Sequence, residues 1–261
     1  MAWNYLAGLL GPPELPPAIP DGFTAITNAL PEDVYIVGFP KSGITWFQNL
    51  VAGVVYGVVT EFAPPVLASR ELVPDVHAER YYRRYATPTF FKSHHLPRPE
   101  YQRVVYLLRD GRDAMVSYFH YLDALKAKPN LMQLVRKGAF PCKWHEHVEA
   151  WLANPFGARI LTIRYEELKV DALKSLQRFC QFVGVDREPA FLETIAHSAT
   201  LEKMRRRERD DPQDTAKPRW TTGRFFFRRG QVGSYRDEMP EEVQEAFLAE
   251  AGPTLKRTGY L

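Results

Sequence analysis

One stretch constrains this chain more than any other. Val34-Tyr35-Ile36-Val37-Gly38 is continuously apolar and β-branched, which predicts a strand buried on both faces. It runs through Phe39-Pro40-Lys41-Ser42-Gly43 into Ile44-Thr45-Trp46, and Phe47, Leu50, Val51, Val54 and Val58 then recur on one helical face. A strand that turns tightly into a helix aims the first backbone N–H groups, and the positive end of the helix dipole, at one point. That point is a seat for a phosphate-type anion. Lys41 adds a cation, and Ser42 and Thr45 add hydroxyl donors. The order is not that of a Walker A loop, in which Lys follows the last glycine and a Ser or Thr that holds Mg²⁺ follows the Lys.

The rest of the chain repeats strand and helix. Arg103–Leu108 predicts a second buried strand and Asp113–Leu125 a helix; 160–163 predicts a third strand. A helix then carries Leu173, Leu176, Phe179, Cys180 and Val183 and stops at Gly184. This alternation predicts an α/β fold: a single domain with a central parallel sheet flanked by helices, right-handed crossovers and a P-loop-like nucleotide-binding core. Pro-rich 11–20 predicts an extended segment within an N-terminal arm, 1–30, ahead of a domain over 31–261. The stretch 205–230, rich in Arg, Asp, Thr and Gly, predicts a long surface loop.

Charge narrows the ligand. Lys plus Arg number 34 and Asp plus Glu 31, a formal net charge of +3. That suits a small anion held by placed cations rather than a nucleic acid. The Arg205–Arg209 run is interleaved with acids, which predicts a solvated face. The first residues lack a basic n-region, and the apolar run 50–59 is too short to span a bilayer, so neither a signal peptide nor a membrane span is expected. With only Cys142 and Cys180, a reduced, cytoplasmic protein is expected.

Two further groups carry chemistry. Arg109 ends the second strand, and Ser117 lies two turns into the following helix; both can reach one phosphate. The alternative is that Arg109, Asp110, Arg112 and Asp113 form only local ion pairs. In Phe91-Lys92-Ser93-His94-His95-Leu96-Pro97, alternation in an extended chain points Lys92 and His94 to one side. That pairs a cation with an imidazole able to take a proton near neutral pH. His94 and His95 as zinc ligands would need Cys, Asp or Glu nearby at ligand spacing, and none stands there, so no metal is expected.

Together these elements resemble the sulfotransferases that use 3′-phosphoadenosine 5′-phosphosulfate (PAPS), above all their cytosolic small-molecule branch. FPKSGITW is similar to the family's 5′-phosphosulfate loop, Arg109 with Ser117 to its 3′-phosphate pair, and Lys92-Ser93-His94 to its catalytic K-[TS]-H element. Arg164-Tyr165-Glu166-Glu167-Leu168 places Tyr165 at the adenine-contacting position. Phe227-Arg228-Arg229-Gly230-Gln231-Val232-Gly233-Ser234-Tyr235 is similar to the R-K-G-x-x-G-[DS]-[WY] segment. The resemblance runs over about 34–261, with the motifs in order.

It implies a PAPS-dependent sulfotransferase with His94 as general base and Lys41, Lys92 and Ser117 as its catalytic partners. It further implies that Lys41, Ser42, Gly43, Ile44, Thr45, Trp46, Arg109, Ser117, Tyr165, Arg228, Arg229 and Gly230 hold the donor, and that Ser117 holds Lys41 until the acceptor arrives. Glycine at 230 would let backbone approach the 3′-phosphate. Trp46 could stack on the adenine or belong to the core. The acceptor class is a phenol, alcohol or small amine, with Tyr121 and the 63–90 stretch as possible walls; that stretch could equally be an amphipathic helix with solvated arginines. This sequence departs from the family at Ile44, where Thr or Ser is usual, and at Leu201, where a Phe covers the adenine. The family's dimer motif is not recognisable over Pro240–Glu250, so no oligomeric state is carried over. A kinase-like P-loop phosphotransferase and a non-catalytic nucleotide-binding relative are the competing readings.

Overall fold

The structure is a computed structural model and describes residues 19–63, 67–210 and 226–261. The Pro-rich arm up to residue 18 and residues 211–225 of the expected loop lie outside the described residues. In chain order the strands are β1 (Thr24–Ala25), β2 (Val34–Gly38), β3 (Tyr81–Tyr82), β4 (Phe90–Ser93), β5 (Arg103–Leu108) and β6 (Arg159–Arg164). The helices are α1 (Ile44–Tyr56), α2 (Gly111–Ala124), α3 (Leu131–Lys137), α4 (Trp144–Ala153), α5 (Tyr165–Val170), α6 (Ala172–Val183), α7 (Pro189–Ser198), α8 (Leu201–Asp210), α9 (Tyr235–Glu238) and α10 (Glu241–Arg257).

Among the described residues the main sheet has the order β4-β2-β5-β6, with every neighbour parallel. The two-residue alternation of β2 explains its unbroken apolar sequence. Val34 and Ile36 enter one core with Phe47, Leu50, Val105, Leu107, Ile163 and Phe179. Tyr35 and Val37 enter the other with Val104, Tyr106, Trp144, Trp151 and Phe247. Helices cover both faces, and each fully buried aromatic contributes roughly 1.5–3 kcal/mol. Asp110 caps α2 by accepting the Arg112 N–H at 2.9 Å, and Gly184 ends α6 at φ 78°. Both follow from local sequence.

Register matters most at the carboxyl ends. Val37 pairs with Ser93, Gly38 with Leu107 and Leu108 with Arg164, so the four parallel strands finish side by side. The Lys41 loop, His94, Arg109 and Tyr165 each follow one of those ends. Ligand sites in open parallel sheets gather at this edge.

Two expectations need correction. Residues 205–210 continue α8 rather than opening a loop. Met204 and Glu208, one turn apart, are buried on one face of α8, and Glu208 accepts the N–H groups of Phe226 and Phe227 at 2.6 and 3.3 Å. Composition alone hides that anchoring. The described part of 63–90 is not one amphipathic helix: Leu67–Leu72 form a π-helical turn, and Tyr81–Tyr82 pair antiparallel with Thr24–Ala25. Arg84 is not solvated; it grips buried Asp33 with two bonds of 2.8 Å. Among the described residues no helix is long and apolar enough to cross a membrane.

Candidate active site

The turn after β2 is built around two left-handed residues. Gly43, the N-cap of α1, has φ 93°, and Lys41 has φ 68°, a region a side-chain-bearing residue enters at a cost of roughly 1–3 kcal/mol. Ser42 N–H closes the turn on Phe39 O at 3.1 Å. Among the described residues no side chain caps α1, so the N–H groups of its first turn keep their donor capacity. Among the described residues the Ser42 hydroxyl is buried without a hydrogen-bond partner, as is Arg109 Nε. Buried polar atoms are nearly always paired, and two such donors beside uncapped N–H groups suit an anion. A Cβ at Gly43 would stand 2.6 Å from Tyr165 Cδ2. Gly43→Ala is therefore expected to destabilise the chain by roughly 1–3 kcal/mol, seen as a lower unfolding midpoint, and to weaken binding of 3′-phosphoadenosine 5′-phosphate (PAP), the product that the resemblance implies, in titration calorimetry.

Lys41 Nζ lies 3.5 Å from the Phe226 ring centroid and 4.7 Å from that of Tyr121. Lys41 thus rests on an aromatic seat, and Ser117 lines the same cavity. Cation–π attraction holds the ammonium there. Burial first, then repulsion from Arg109 and Lys92, brings its pKa down to about 7.

Arg109 is almost fully buried at the end of β5. It donates to Lys41 O at 3.0 Å and Gln231 O at 3.2 Å, and its guanidinium stacks 4.3 Å over the Tyr165 ring. It therefore ties the Lys41 loop to the 226–234 segment; local ion pairs form as well, Arg112 with Asp110 at 2.7 Å and Arg109 with Asp113 at 3.8 Å. Asp113 fixes the end of that segment, accepting from Gly233 N, Ser234 Oγ and Tyr235 N at 2.7, 3.2 and 3.0 Å. Gly230, at φ 61°, packs where a Cβ would be 2.5 Å from Leu201 Cδ2. Leu201 thus lies on the cavity wall where the family's aromatic was expected. Arg228 and Arg229 line the cavity, but both are engaged by Glu238, at 2.6 and 3.2 Å. Trp46 also lines it and donates to Ala199 O at 2.7 Å, so the ring serves wall and core together.

At the end of β4, Lys92 and His94 face the cavity as alternation predicts. His94 Nδ1 lies 2.8 Å from Gly38 O. A carbonyl can only accept, so Nδ1 carries the proton and Nε2 keeps its lone pair. Burial, then the Lys92 charge, holds His94 well below the usual imidazole range, hence neutral. Lys92 Nζ forms an ion pair with Asp75 at 2.7 Å. His95 turns to Tyr101 Oη, at 2.8 Å, and does not line the cavity.

The cavity, of about 270 Å³, gathers all the expected residues except Ser42, which lies buried beneath the loop. It also brings in residues that sequence reading did not single out: Asp75 and His77, from the 63–90 stretch offered as a possible wall, with Leu122, Phe140 and Lys169. Asp75 and His77 left a faint signal, an alternating acid and imidazole; nothing in the sequence linked them to Lys92 and His94.

Comparison with known proteins gives the family. The sequence profile of the sulfotransferase domain matches residues 31–259. Relatives include sulfotransferase 1E1 of Rattus norvegicus, 24% identical over 246 residues, covering 84% of this chain and 82% of the relative. The 3-beta-hydroxysteroid sulfotransferase of Cavia porcellus is 25% identical, covering 83% and 81%. Among solved structures, retinol dehydratase in complex with androsterone and inactive cofactor PAP superposes with a TM-score of 0.68 at 20% identity, covering 87% of this chain and 81% of that one. Mouse sulfotransferase SULT7A1 complexed with PAP gives 0.63 at 19% identity, covering 89% and 90%. A profile spanning nearly the whole chain, on a sheet whose strand ends carry the anion loop and the Lys–His pair, means that this protein belongs to the sulfotransferase domain family.

Proposed function

We propose that the cavity transfers a sulfuryl group from PAPS to a hydroxyl of a largely apolar small molecule, with His94 as general base. The observation that carries this reading is the 2.8 Å bond from His94 Nδ1 to Gly38 O. It anchors the His94 ring on Gly38, the last residue of the strand that leads into the Lys41 loop, and this supports the reading that Nε2 takes the acceptor's proton.

The donor supplies an activated sulfuryl group on its 5′-phosphate. The uncapped N–H groups at Gly43, Ile44, Thr45 and Trp46, with Ser42 Oγ, would hold the 5′ end. Arg109, Ser117, Arg228, Arg229 and the Gly230 backbone would hold the 3′-phosphate, with Trp46 and Tyr165 at the adenine. Lys41 and Lys92 would meet the charge that grows as the acceptor oxygen bonds to sulfur and the bridging S–O bond breaks. Tyr118, Tyr121, Leu122 and Phe140 offer an apolar wall; this fits a phenol or alcohol acceptor, and one relative is named for a hydroxysteroid. The domain over 31–261 after an arm, and a cytoplasmic setting consistent with free Cys142 and Cys180, are part of the same reading.

The test is incubation with labelled PAPS and a panel of hydroxysteroids, phenols and amines. Label should appear on an acceptor oxygen. Turnover of ATP with Mg²⁺ in place of PAPS would favour a phosphotransferase, and PAP binding without any transfer a non-catalytic relative. The lowered Lys41 gives a second measurement. An anion at the loop should draw its pKa up from about 7 toward the ordinary lysine value, so PAP binding at about pH 8 should take up about one proton. Calorimetry in buffers of different ionisation enthalpy reads this, and Lys41→Met should abolish it.

A further inference from the structure

Residues 74–77 lie against 92–94 as a short parallel bridge. Lys92 N–H donates to Pro74 O at 2.9 Å, Val76 N–H donates to Lys92 O at 3.0 Å, and Asp75 pairs with Lys92. Both segments alternate, so Asp75 and His77 share one side, as Lys92 and His94 share theirs. Asp-x-His is thereby laid against Lys-x-His, side chain for side chain.

The contacts follow that register. Asp75 Oδ2 meets Lys92 Nζ at 2.7 Å, and Asp75 Oδ1 accepts the His77 N–H at 2.9 Å. His77 Nε2 accepts the backbone N–H of His94 at 2.8 Å, and the two rings stack 5.7 Å apart. Phe140 braces His77 edge-on at 5.1 Å. From α4, fully buried His147 lies with Nε2 3.2 Å from His94 O. Both backbone polar groups of His94 are therefore held by other histidines, while its Nδ1 is held by Gly38.

We propose that Asp75 and His77 are positioning residues for the Lys92–His94 pair: Asp75 places the Lys92 ammonium, and His77 fixes the backbone from which His94 projects. The proposal rests on the catalytic reading of Lys92 and His94 given above. The physical need is plain at both positions. A lysine has a long, flexible stem, and a cation that must act at one point benefits from a fixed counter-charge. His94 follows the last residue of β4, where ladder bonds no longer hold the backbone. His77 can accept at Nε2 only as the neutral imidazole, and burial lowers its pKa in that direction. Asp75 in turn carries its negative charge in a half-enclosed site because Lys92 neutralises it.

The test is a pair of double-mutant cycles on single-turnover transfer from radiolabelled PAPS to a phenol, with PAP affinity and thermal midpoint followed alongside. Asp75→Asn should slow transfer roughly tenfold, and His77→Ala roughly three- to tenfold, with PAP affinity unchanged within about twofold. His77→Gln should recover most of the loss, because its amide oxygen reaches the place of Nε2. In a Lys92→Met background Asp75→Asn should cost nothing further, and in a His94→Ala background neither should His77→Ala. Full effects persisting in those backgrounds, or no slowing in the single variants, would overturn the proposal while leaving the catalytic reading intact. Wild-type rates for Lys92→Met and His94→Ala themselves would overturn the catalytic reading, and this proposal with it. If His77→Ala does not fold, the Asp75→Asn cycle, which removes no volume, decides.

Discussion

His94→Ala is expected to lower kcat roughly 10²–10⁴-fold while PAP affinity stays within about twofold of wild type. The imidazole touches the protein through Nδ1 and Gly38 O, through its stacking on His77 and through an edge-on contact with Phe140. Its backbone bonds to His77 and His147 survive truncation. The loss should therefore fall on the proton-accepting Nε2 rather than on the anion loop. Burial keeps His94 neutral, so the lone pair is available throughout the neutral range. Single-turnover transfer measured beside calorimetric PAP binding separates the two effects. A variant that transfers at near wild-type rate would remove His94 as the base.

Arg109→Ala should weaken PAP binding by roughly 10²-fold, the scale of losing a two-pronged, charge-assisted contact. Arg109 is almost fully buried, its Nε has no partner among the described residues, and its Nη atoms bridge Lys41 O and Gln231 O. It thus holds two loops together as well as offering charge to a phosphate. Arg109→Lys separates these roles. The charge survives but the planar fork and the stacking on Tyr165 do not, so only a small part of the affinity should return. Salt dependence of PAP binding provides a further check, because losing a charge contact flattens it. Unchanged affinity in Arg109→Ala would take Arg109 out of the donor site.

How far the fold and site can be read from the chain depends on the range of the interaction. The strands at 34–38, 103–108 and 159–164, the α1 start, the Asp110 cap and the Gly184 stop are legible because periodicity and capping act over a few residues. So is the facing of Lys92 and His94, which two-residue alternation sets. Misreading 205–210 as loop has the opposite cause. Ten consecutive residues rich in Arg, Glu and Asp look solvated until Met204 enters the core and Glu208 takes the Phe226 and Phe227 N–H groups.

The chemistry divides along the same line. Lys41, Ser42, Gly43, Lys92, His94 and Arg109 stand in short motifs whose geometry is local, so residue order alone marks them out. The aromatic seat of Lys41 joins residues 41, 121 and 226, and the Glu238 clamp joins Arg228 and Arg229 to a neighbouring helix. The Asp75–Lys92 and His77–His94 contacts span seventeen residues each. No propensity or spacing encodes these pairings. They arise when parallel strands finish at one edge and the segments between them are packed against that edge, which is where charge, burial and proton position at Lys41, Lys92 and His94 are set.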